Sequence, residues 1–293
     1  MDSMTLVTAF FPIGRDGWKK FGRSADRYFD YFTFWAGMEN DLVVYTTPDA
    51  VQRVKDIRES FGRTNTTVIA IDDLPSVEPE VYGTLVRTMS NETFRAYHEN
   101  PKCPESWNPD YNYLMAMKFW CLKDAVERGL TRENLAWIDF GYNHGGDYYT
   151  ESSELRFDWK YDPEGKITLF KLKDNGDRPI YELIRSMDTI IEGCLFIVPS
   201  ALCATLWELF KGNTFALAKA GLADDDQSVL YMCALERPEL FRMVPSGWFQ
   251  DIEICTGRHF TTREQKATSP FKMKVKRFWK ATVWSLRTIR YRL

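Results

Sequence analysis

The sequence lacks any uninterrupted apolar run of about 18 residues, the length that a membrane-spanning helix needs, so no spanning helix is expected. The apolar run from Leu6 to Phe11 has no basic segment before it and no small-residue cleavage site after it, so it predicts a first strand rather than a signal peptide. The six Cys are scattered without a Cys-x-x-Cys pair, as is typical of reduced core residues in a cytoplasmic protein. Because only three His are present, a His-rich zinc site is not expected.

Motifs that identify several common enzyme classes are also missing. Neither a P-loop nor a Gly-x-Gly-x-x-Gly motif occurs, and the Gly145-Gly146 pair is too isolated to form a phosphate cradle. Ser200 lacks the flanking glycines of a nucleophile elbow, which argues against a serine hydrolase. A nucleotidyltransferase or phosphatase would need more clustered carboxylates than one Asp at a strand end.

The 293-residue chain has the composition of a globular protein, with 44% hydrophobic and 27% charged residues. Its net charge of -3 hides an asymmetry, because residues 271–293 carry eight Lys or Arg and no acid. An acidic body with a basic end is not the pattern of a nucleic-acid-binding protein. We therefore expect a folded domain over residues 1–266 and a basic amphipathic tail over residues 267–293.

Strands and helices alternate along the body of the chain. Short apolar, β-rich runs predict strands at residues 5–11, 42–46, 68–71 and 190–198. Ser24 is a predicted cap for the first of the intervening helices. The alternation predicts an α/β fold with a mostly parallel, Rossmann-type sheet flanked by helices. A hairpin is predicted between residues 155–159 and 167–172, across an Asp-Pro-Glu-Gly turn.

Another predicted strand ends in a single carboxylate, Asp139, which is followed two residues later by Gly141. A helix predicted over residues 111–128 comes just before it. Ligands of open α/β sheets bind at the carboxyl ends of strands, so Asp139 is a candidate for holding a ligand or a metal ion. The alternative is that Asp139 only begins a turn, as Asp-x-Gly often does.

A second acid cluster, Asp224-Asp225-Asp226-Gln227, opens a predicted helix. Helix capping accounts for one of the three acids. An acid near a helix N-terminus tends to stay ionised, as a base that accepts a hydroxyl proton should. Asp225 and Asp226 are therefore candidate catalytic residues, and capping is the alternative for both.

Basic side chains near the first two strand-to-helix connections are candidates for contact with a diphosphate, namely Arg15, Arg23, Arg27 and Arg58. Surface solvation is the alternative for most of them. His144 or His259 could join Asp139 around a divalent ion, although we expect a surface position for each.

Taken together, these residues resemble the HtrL/YibB family of bacterial proteins, which is grouped with nucleotide-sugar glycosyltransferases of GT-A fold. The resemblance runs from about residue 4 to about residue 255. It is carried by Val7-Thr8-Ala9-Phe10-Phe11, Ile13-Gly14-Arg15 with Trp18, Arg27-Tyr28, Trp137-Ile138-Asp139-Phe140-Gly141, Glu192-Gly193 and Asp225-Asp226-Gln227.

The resemblance implies a GT-A-like domain with a nucleotide-sugar donor bound over the first strands. The predicted donor-binding residues are Thr8, Ala9, Phe10, Arg15, Arg27 and Asp72. The predicted substrate-binding residues are Gly141, Glu192, Gly193 and Gln227. Asp225 or Asp226 resembles the acceptor-side acid, which is a base in inverting enzymes, whereas in some retaining ones a similar Asp-Gln pair lies under the sugar ring.

Asp139 resembles the first acid of the GT-A metal motif, Asp-x-Asp, whose third place is Gly141 in this sequence. The resemblance implies a divalent cofactor, Mn²⁺ or Mg²⁺, and the missing ligand leaves two alternatives open: the metal is not required, or another residue such as His259 completes the site.

The leading hypothesis is a cytoplasmic glycosyltransferase that uses a nucleotide-sugar, in the first instance a UDP-sugar. Its acceptor would be a hydroxyl of a growing, lipid-linked bacterial surface glycan, such as O-antigen, lipopolysaccharide core or capsule. The alternative is a non-catalytic protein that binds nucleotide-sugars or glycans and has lost the second metal-motif acid.

The basic tail has the pattern of an amphipathic helix from Val275 onward. Helical spacing puts one set of residues on a mostly apolar stripe, namely Phe278, Trp279, Thr282, Val283, Leu286, Ile289 and Leu293. The opposite face carries Lys276, Arg277, Lys280 and Arg287 around Trp284. This pattern predicts peripheral contact with the anionic inner face of the bacterial inner membrane. The alternative is a helix packed on the body with its charges in water.

Overall fold

A computed structural model describes residues 2–264 and 270–289 of the chain. In this described part, seven strands form one sheet in the order β3-β2-β1-β4-β6-β5-β7. The strands are β1 (Thr5–Phe10), β2 (Leu42–Thr46), β3 (Thr66–Ala70), β4 (Asn134–Ile138), β5 (Ile167–Lys171), β6 (Leu195–Pro199) and β7 (Phe241–Pro245).

Helices cover both faces of this sheet. The helices are α1 (Ala25–Trp35), α2 (Val51–Ser60), α3 (Pro79–Met89), α4 (Glu92–Tyr97), α5 (Pro109–Glu127), α6 (Ile180–Ser186), α7 (Ser200–Lys219), α8 (Asp226–Glu236), α9 (Asp251–Thr256) and α10 (Pro270–Thr288). The predicted α/β class and the mostly parallel sheet are confirmed, since β6 alone of the described strands runs against the others.

Two hydrophobic cores lie on opposite faces of the sheet, and β1 contributes to both. Val7 packs in the core under α5 and α7, whereas its neighbour Leu6 packs in the core under α1 and α2. This follows from the period of two in a strand, which sends successive side chains to opposite faces. Aromatic residues fill much of both cores, as in the stacked pair Phe32 and Phe140, whose ring centroids are 4.4 Å apart.

The sheet has a topological switch point at β1. The chain passes from β1 to β2 and β3 on one side and returns on the other side as β4, which is parallel to β1. The antiparallel β6 begins beside the end of β4, because Leu195 pairs with Ile138. The ends of β1 and β4 and the beginning of β6 therefore meet at one edge, where α/β sheets bind their ligands.

The predicted hairpin between residues 155–159 and 167–172 is wrong. The turn before β5 forms, with Glu164 and Gly165 at φ angles of 55° and 71°. However, Trp159 is held elsewhere, because its backbone N–H donates to Asn40 Oδ1 at 2.8 Å. Strand β5 pairs instead with β6 and β7, so long-range bonds override the local turn signal.

One smaller prediction needs correction, and another is confirmed. Arg58, a candidate for diphosphate contact, is fully buried and donates to the backbone carbonyls of Ala36, Met38 and Asn40 at 2.7, 2.7 and 3.0 Å. Its guanidinium therefore joins α2 to the loop before β2 and is not available to a ligand. Ser24 does cap α1 as predicted, since its hydroxyl accepts from the backbone N–H of Arg27 at 3.3 Å.

The C-terminal helix α10 forms, but it packs in an unexpected orientation. Three residues predicted for its basic face contact the body: Trp284 Nε1 donates to the Tyr97 carbonyl at 2.6 Å, Arg277 pairs with Asp188 at 3.0 Å, and Arg287 donates to the Ala96 carbonyl at 3.2 Å. The apolar stripe faces solvent through Val275, Phe278, Trp279, Val283, Leu286 and Ile289. The predicted boundary at residue 266 and the stripe residue Leu293 lie outside the described residues. Within the described ranges, no helix is long and apolar enough to cross a membrane.

Candidate functional site

A cavity of about 720 Å³ opens at the edge where β1 and β4 end and β6 begins. Ten of the candidate residues that the sequence offered line it: Ala9, Phe10, Arg15, Arg23, Asp139, Gly141, His144, Gly193, Asp226 and Gln227. Residues that lie up to 218 positions apart along the chain thus surround one space.

Other predicted residues do not line the cavity. Thr8 is fully buried inside β1, while Arg27 on α1 and Asp72 after β3 are exposed to solvent. The side chain of His259 is 100% exposed and its Nδ1 lies 3.7 Å from a carboxylate oxygen of Glu253. The fold therefore leaves His259 outside the space that Asp139 lines.

The floor of the cavity is built around Lys118, which α5 carries into the interior. Its ammonium lies 2.8 Å from Asp139 Oδ1 and 2.6 Å from Asp226 Oδ2, and it donates to the Gly193 carbonyl at 3.0 Å. Only 3% of the side chain is exposed. Burial alone would lower the pKa of this ammonium, but the two carboxylates outweigh burial and raise the pKa above its ordinary value.

Asp139 is fixed by more than the lysine. The indole Nε1 of Trp137 donates to the same Oδ1 at 2.7 Å, and the backbone N–H of Asp139 donates to the Cys194 carbonyl at 2.8 Å. The third place of the motif is tightly packed, because a Cβ on Gly141 would lie 3.1 Å from the ring of Tyr28. An acid at position 141 would require this ring to move.

The two candidate acids of α8 have different positions. Asp225 is the N-cap residue, since its Oδ1 accepts from the backbone N–H of Gln227 at 3.2 Å. Asp226 points into the cavity floor and approaches Gly193 so closely that a Cβ there would lie 2.4 Å from Asp226 Oδ2. Gly193 therefore has no side chain for a packing reason. Burial raises the pKa of Asp226, and the Lys118 ammonium opposes that rise.

Glu192 belongs to a second group of side chains, together with Asp251, which is also buried, and Cys194, which is half-buried and lines the cavity. One ligand atom from each of the three lies within 4.8 Å of the others, which is close enough for a shared metal ion. Glu192 Oε1 accepts from the Phe249 backbone at 2.9 Å, and Tyr142 donates to Asp251 Oδ1. Burial raises the pKa of Glu192 well above its ordinary value and that of Asp251 to about 7. A proton shared between the two carboxyls accounts for the same geometry.

Arginines and aromatic rings form the rim of the cavity. The Arg15 guanidinium carbon lies 5.2 Å from the Trp18 ring and 5.6 Å from the Tyr111 ring. Arg23 lies 3.3 Å from Nε2 of His144, which lines the cavity rather than the open surface that we expected. Among the described residues, no carboxylate forms an ion pair with Arg15 or Arg23, so both charges are available to an anionic ligand.

The sequence did not reveal Lys118 as functional, whereas it offered His144 as a candidate metal ligand but predicted a surface position for it. Lys118 stands in the otherwise apolar stretch from Tyr113 to Leu122, and a lone charge on a buried helix face was the signal. His144 adopts a left-handed backbone, with φ at 45°, in the turn that follows β4. That turn points its ring back toward the cavity.

Comparison with known proteins identifies the family. The profile of a family described as "Bacterial protein of unknown function (HtrL_YibB)" matches residues 2–256. Protein HtrL of Escherichia coli (strain K12) is 32% identical over 272 residues, which cover 86% of this chain and 92% of that protein. The chain belongs to the HtrL/YibB family. The resemblance inferred from the sequence is thereby confirmed, and the family description itself assigns no function.

Two solved structures are similar to this family member. One is the apo crystal structure of mouse xyloside xylosyltransferase 1, at a TM-score of 0.45 and 12% identity, covering 86% of this chain and 90% of that chain. The other is the glycosyltransferase GlyE of Streptococcus pneumoniae TIGR4, at a TM-score of 0.40 and 10% identity, covering 83% of this chain and 45% of that chain. These TM-scores are too low for the likeness to carry an argument about function.

Proposed function

We propose that this chain is a glycosyltransferase that moves a sugar from a nucleotide-sugar to a hydroxyl of a bacterial surface glycan. The observation that carries the proposal is the cavity at the switch point, with Asp226 on its floor and Arg15 and Arg23 on its rim. Its volume of about 720 Å³ falls in the range of small-molecule pockets. It combines a carboxylate that can accept a hydroxyl proton with cations that can bind a diphosphate, the two groups that such a transfer needs.

The donor half of the proposal rests on the rim. Ala9 and Phe10, at the end of β1, would contact the nucleoside, and Phe10 stacks on Phe140 with ring centroids 5.0 Å apart. Arg15 would contact the diphosphate, as a guanidinium can do through two parallel hydrogen bonds. We propose a UDP-sugar as the first donor to examine.

The transfer half rests on Asp226. In an inverting reaction its carboxylate would take the proton of the acceptor hydroxyl while the acceptor oxygen bonds to the anomeric carbon. The bond from that carbon to the phosphate oxygen breaks, and the nucleoside diphosphate leaves. In a retaining reaction the Asp226-Gln227 pair would lie under the sugar ring instead. Both residues line the cavity, and burial raises the pKa of Asp226, which makes its carboxylate a stronger base.

The side chains at Asp139 do not fit the divalent ion that the sequence motif implied. The cation beside Asp139 is the Lys118 ammonium, at 2.8 Å, while Gly141 supplies no ligand and His259 does not line the cavity. Mn²⁺ and Mg²⁺ need several oxygen ligands, and an ammonium at that distance repels a second cation. The proposed reaction therefore includes no metal step.

The acceptor half rests on α10. Its solvent-facing stripe includes Phe278 and Trp279, which are 71% and 68% exposed, and residues 271–293 carry eight basic side chains without an acid. An apolar stripe in a strongly basic segment suits the anionic surface of a membrane, where each basic residue contributes about 1 kcal/mol. We propose that α10 holds the protein at the cytoplasmic face of the inner membrane, where lipid-linked O-antigen, lipopolysaccharide core or capsule would be the acceptor.

A non-catalytic binding protein is the second candidate, and one observation favours it. Gly141 removes the second acid of the metal motif, and Lys118 neutralises part of the charge on Asp226. Such a protein would bind the donor in the same cavity but leave it intact.

Calorimetric titration with UDP-, GDP- and CMP-sugars, followed by assay of nucleotide release, tests both candidates. We expect saturable binding of one donor class and slow release of its nucleotide even without an acceptor, as water takes the acceptor's place. Binding without any release, in the presence of membrane extracts that supply acceptors, would favour the binding protein. If no donor binds, the proposed function is wrong.

A further inference from the structure

A buried ammonium lies between Asp139, the one acid of the Asp-x-Gly motif, and Asp226 of the cavity floor. We infer that Lys118 is the resident cation of this site, that it takes the place of a divalent ion, and that donor binding does not depend on a metal. The part of this inference that concerns the donor rests on the proposed function. The part that concerns the cation rests on the geometry alone.

The ammonium has the coordination of a fixed cation. Its three N–H donors have three oxygen acceptors, on Asp139 at 2.8 Å, on Asp226 at 2.6 Å and on the Gly193 carbonyl at 3.0 Å. No donor is left over for a ligand, and the side chain is almost inaccessible to water. Lys118 is therefore a positioning residue that holds the two carboxylates together.

The surrounding atoms also leave little room for a metal ion. Asp139 Oδ1 accepts from the Trp137 indole as well as from the lysine, so both of its near neighbours are hydrogen-bond donors. Tyr28 packs against Gly141, where a second motif acid would stand. A metal ion that bridges the two carboxylates would have to displace the ammonium.

The negative charge of the donor's diphosphate would then be balanced by cations on the rim of the cavity. Lys118 cancels one of the two negative charges on the floor, and Arg15 and Arg23 line the rim without carboxylate partners among the described residues. A diphosphate bound against these arginines would avoid the repulsion of two unpaired acids. With Lys118 bound to the floor carboxylates and the arginines free to bind the diphosphate, the site could work with a single motif acid.

Removal of the ammonium should convert the floor into a metal site. Lys118→Met leaves two carboxylates and the Gly193 carbonyl around an open space, which is an oxygen ligand set of the kind that Mn²⁺ binds. Lys118→Arg keeps the charge and should keep the metal out. Lys123→Met is the matched control, because Lys123 lies on the same helix and pairs with Glu127 at its surface.

Electron paramagnetic resonance of Mn²⁺ added to the full chain tests the inference. We expect the wild type, Lys118→Arg and Lys123→Met to bind no Mn²⁺ at Asp139. Adding Asp139→Asn to any of them should therefore leave the amount of bound Mn²⁺ unchanged. Lys118→Met should gain one equivalent per chain, and Asp139→Asn added to it should abolish the gain. A wild-type equivalent that depends on Asp139 would overturn the inference, as would a folded Lys118→Met that gains none. If Lys118→Met does not fold, the inference is tested by comparing Mn²⁺ binding of the wild type with that of Asp139→Asn.

Titration with UDP separates this inference from the proposed function. Affinity for UDP should be the same in EDTA and in MnCl₂, whereas a gain of about tenfold or more in MnCl₂ would overturn metal independence. Failure of UDP, GDP and CMP to bind in either medium would contradict the proposed function. The electron paramagnetic resonance experiment would still test the role of Lys118, because it does not depend on a nucleotide.

Discussion

The cavity floor and the C-terminal helix distribute their side chains in opposite ways. On the floor, a charged side chain is hidden, since Lys118 is 3% exposed between two carboxylates. On α10, large apolar side chains are open to water, with Phe278 and Trp279 at 71% and 68% exposure. Proteins usually bury apolar groups and expose charges, and both departures are common where a protein meets a ligand or a partner.

The difference between the two regions lies in how their unusual groups are satisfied. Every donor of the Lys118 ammonium already has an acceptor in the protein, so the floor is complete before any ligand arrives. The apolar stripe of α10 has no such cover in the described residues, while the opposite face of the same helix is bonded to the body through Trp284 and Arg287. Substitutions in the cavity floor should therefore destabilise the fold, whereas substitutions on the apolar stripe of α10 should have little effect on stability.

Replacement of the floor acid should have the largest effect. Asp226→Asn should lower the rate of nucleotide release by about 10²–10⁴, because general-base catalysis contributes that much. Asp225→Asn is the matched control, since Asn caps a helix about as well as Asp does and the rate should stay near that of the wild type. Steady-state assays with the bound donor measure both, and equal rates for the two variants would remove Asp226 from the mechanism.

The second-largest effect should be on the free energy of unfolding, which substitutions in the cavity floor should lower more than substitutions on α10. Lys118→Met leaves buried carboxylates without their cation, and breaking a buried ion pair in this way costs about 3–5 kcal/mol. Trp279→Ser on α10 should change the free energy of unfolding by only about 0.5 kcal/mol, as exposed positions usually do. Denaturant titration of both variants gives the comparison. A larger loss in Trp279→Ser would mean that the stripe is covered by the protein itself.

Membrane binding should show the reverse, with a large effect of substitutions on α10 and none of the substitution in the cavity floor. The double variant Phe278→Ser with Trp279→Ser should weaken sedimentation with anionic liposomes by about tenfold or more, since each buried apolar side chain contributes about 1.5–3 kcal/mol. Lys118→Met should bind liposomes as the wild type does. Leu235→Ser, at a position 53% exposed on α8, controls for general surface hydrophobicity. Deletion of residues 271–293 should abolish binding, and undiminished binding by the deletion variant would show that the tail is no anchor.

The smallest expected effect concerns the buried carboxyls of Glu192 and Asp251. The folded-state pKa of Asp251 is raised to about 7 by burial, so between about pH 4 and pH 7 the native protein binds more protons than the unfolded chain. This contribution is full below the unfolded pKa of about 4 and is lost as the pH rises through about 7. Unfolding titrations at pH 6 and pH 8 should show lower stability at pH 8, by about 1 kcal/mol.

Asp251→Asn should flatten this pH dependence, because an amide does not titrate. Asp49→Asn, at an exposed position, is the control that should leave it unchanged. Greater stability at pH 8 than at pH 6 would instead indicate carboxylates that are ionised in the native state, as ligands of a metal ion would be.

The sequence predicted the positions of these regions better than their contacts. Asp139 could be placed at a strand end from its own neighbours, because an apolar run and a glycine bracket it. Asp225 and Asp226 could not be told apart, since only the approach of α8 to Gly193 makes one a cap and the other part of the floor. The partners of Lys118 lie 21 and 108 positions away along the chain, beyond the reach of any local pattern.

The tail illustrates the same limit. Helical spacing identified the apolar stripe of α10 correctly, because the period of a helix is a local property. Which face meets the body depends on carbonyl groups at Tyr97 and Ala96, which accept from Trp284 and Arg287 at 2.6 and 3.2 Å. These acceptors come from α4, almost 190 positions earlier in the chain, so the orientation follows from tertiary contacts alone.

Hydrogen exchange with each candidate ligand tests the central claim most directly, namely that the chain has two separate binding regions of opposite chemistry. UDP should slow exchange in the segments that line the cavity, residues 10–16 and 139–147, and leave residues 275–289 unchanged. Anionic vesicles should slow exchange in residues 275–289 and leave the cavity segments unchanged. Protection of the same segments by both ligands, or no protection of the cavity by any of UDP, GDP and CMP, would contradict the account.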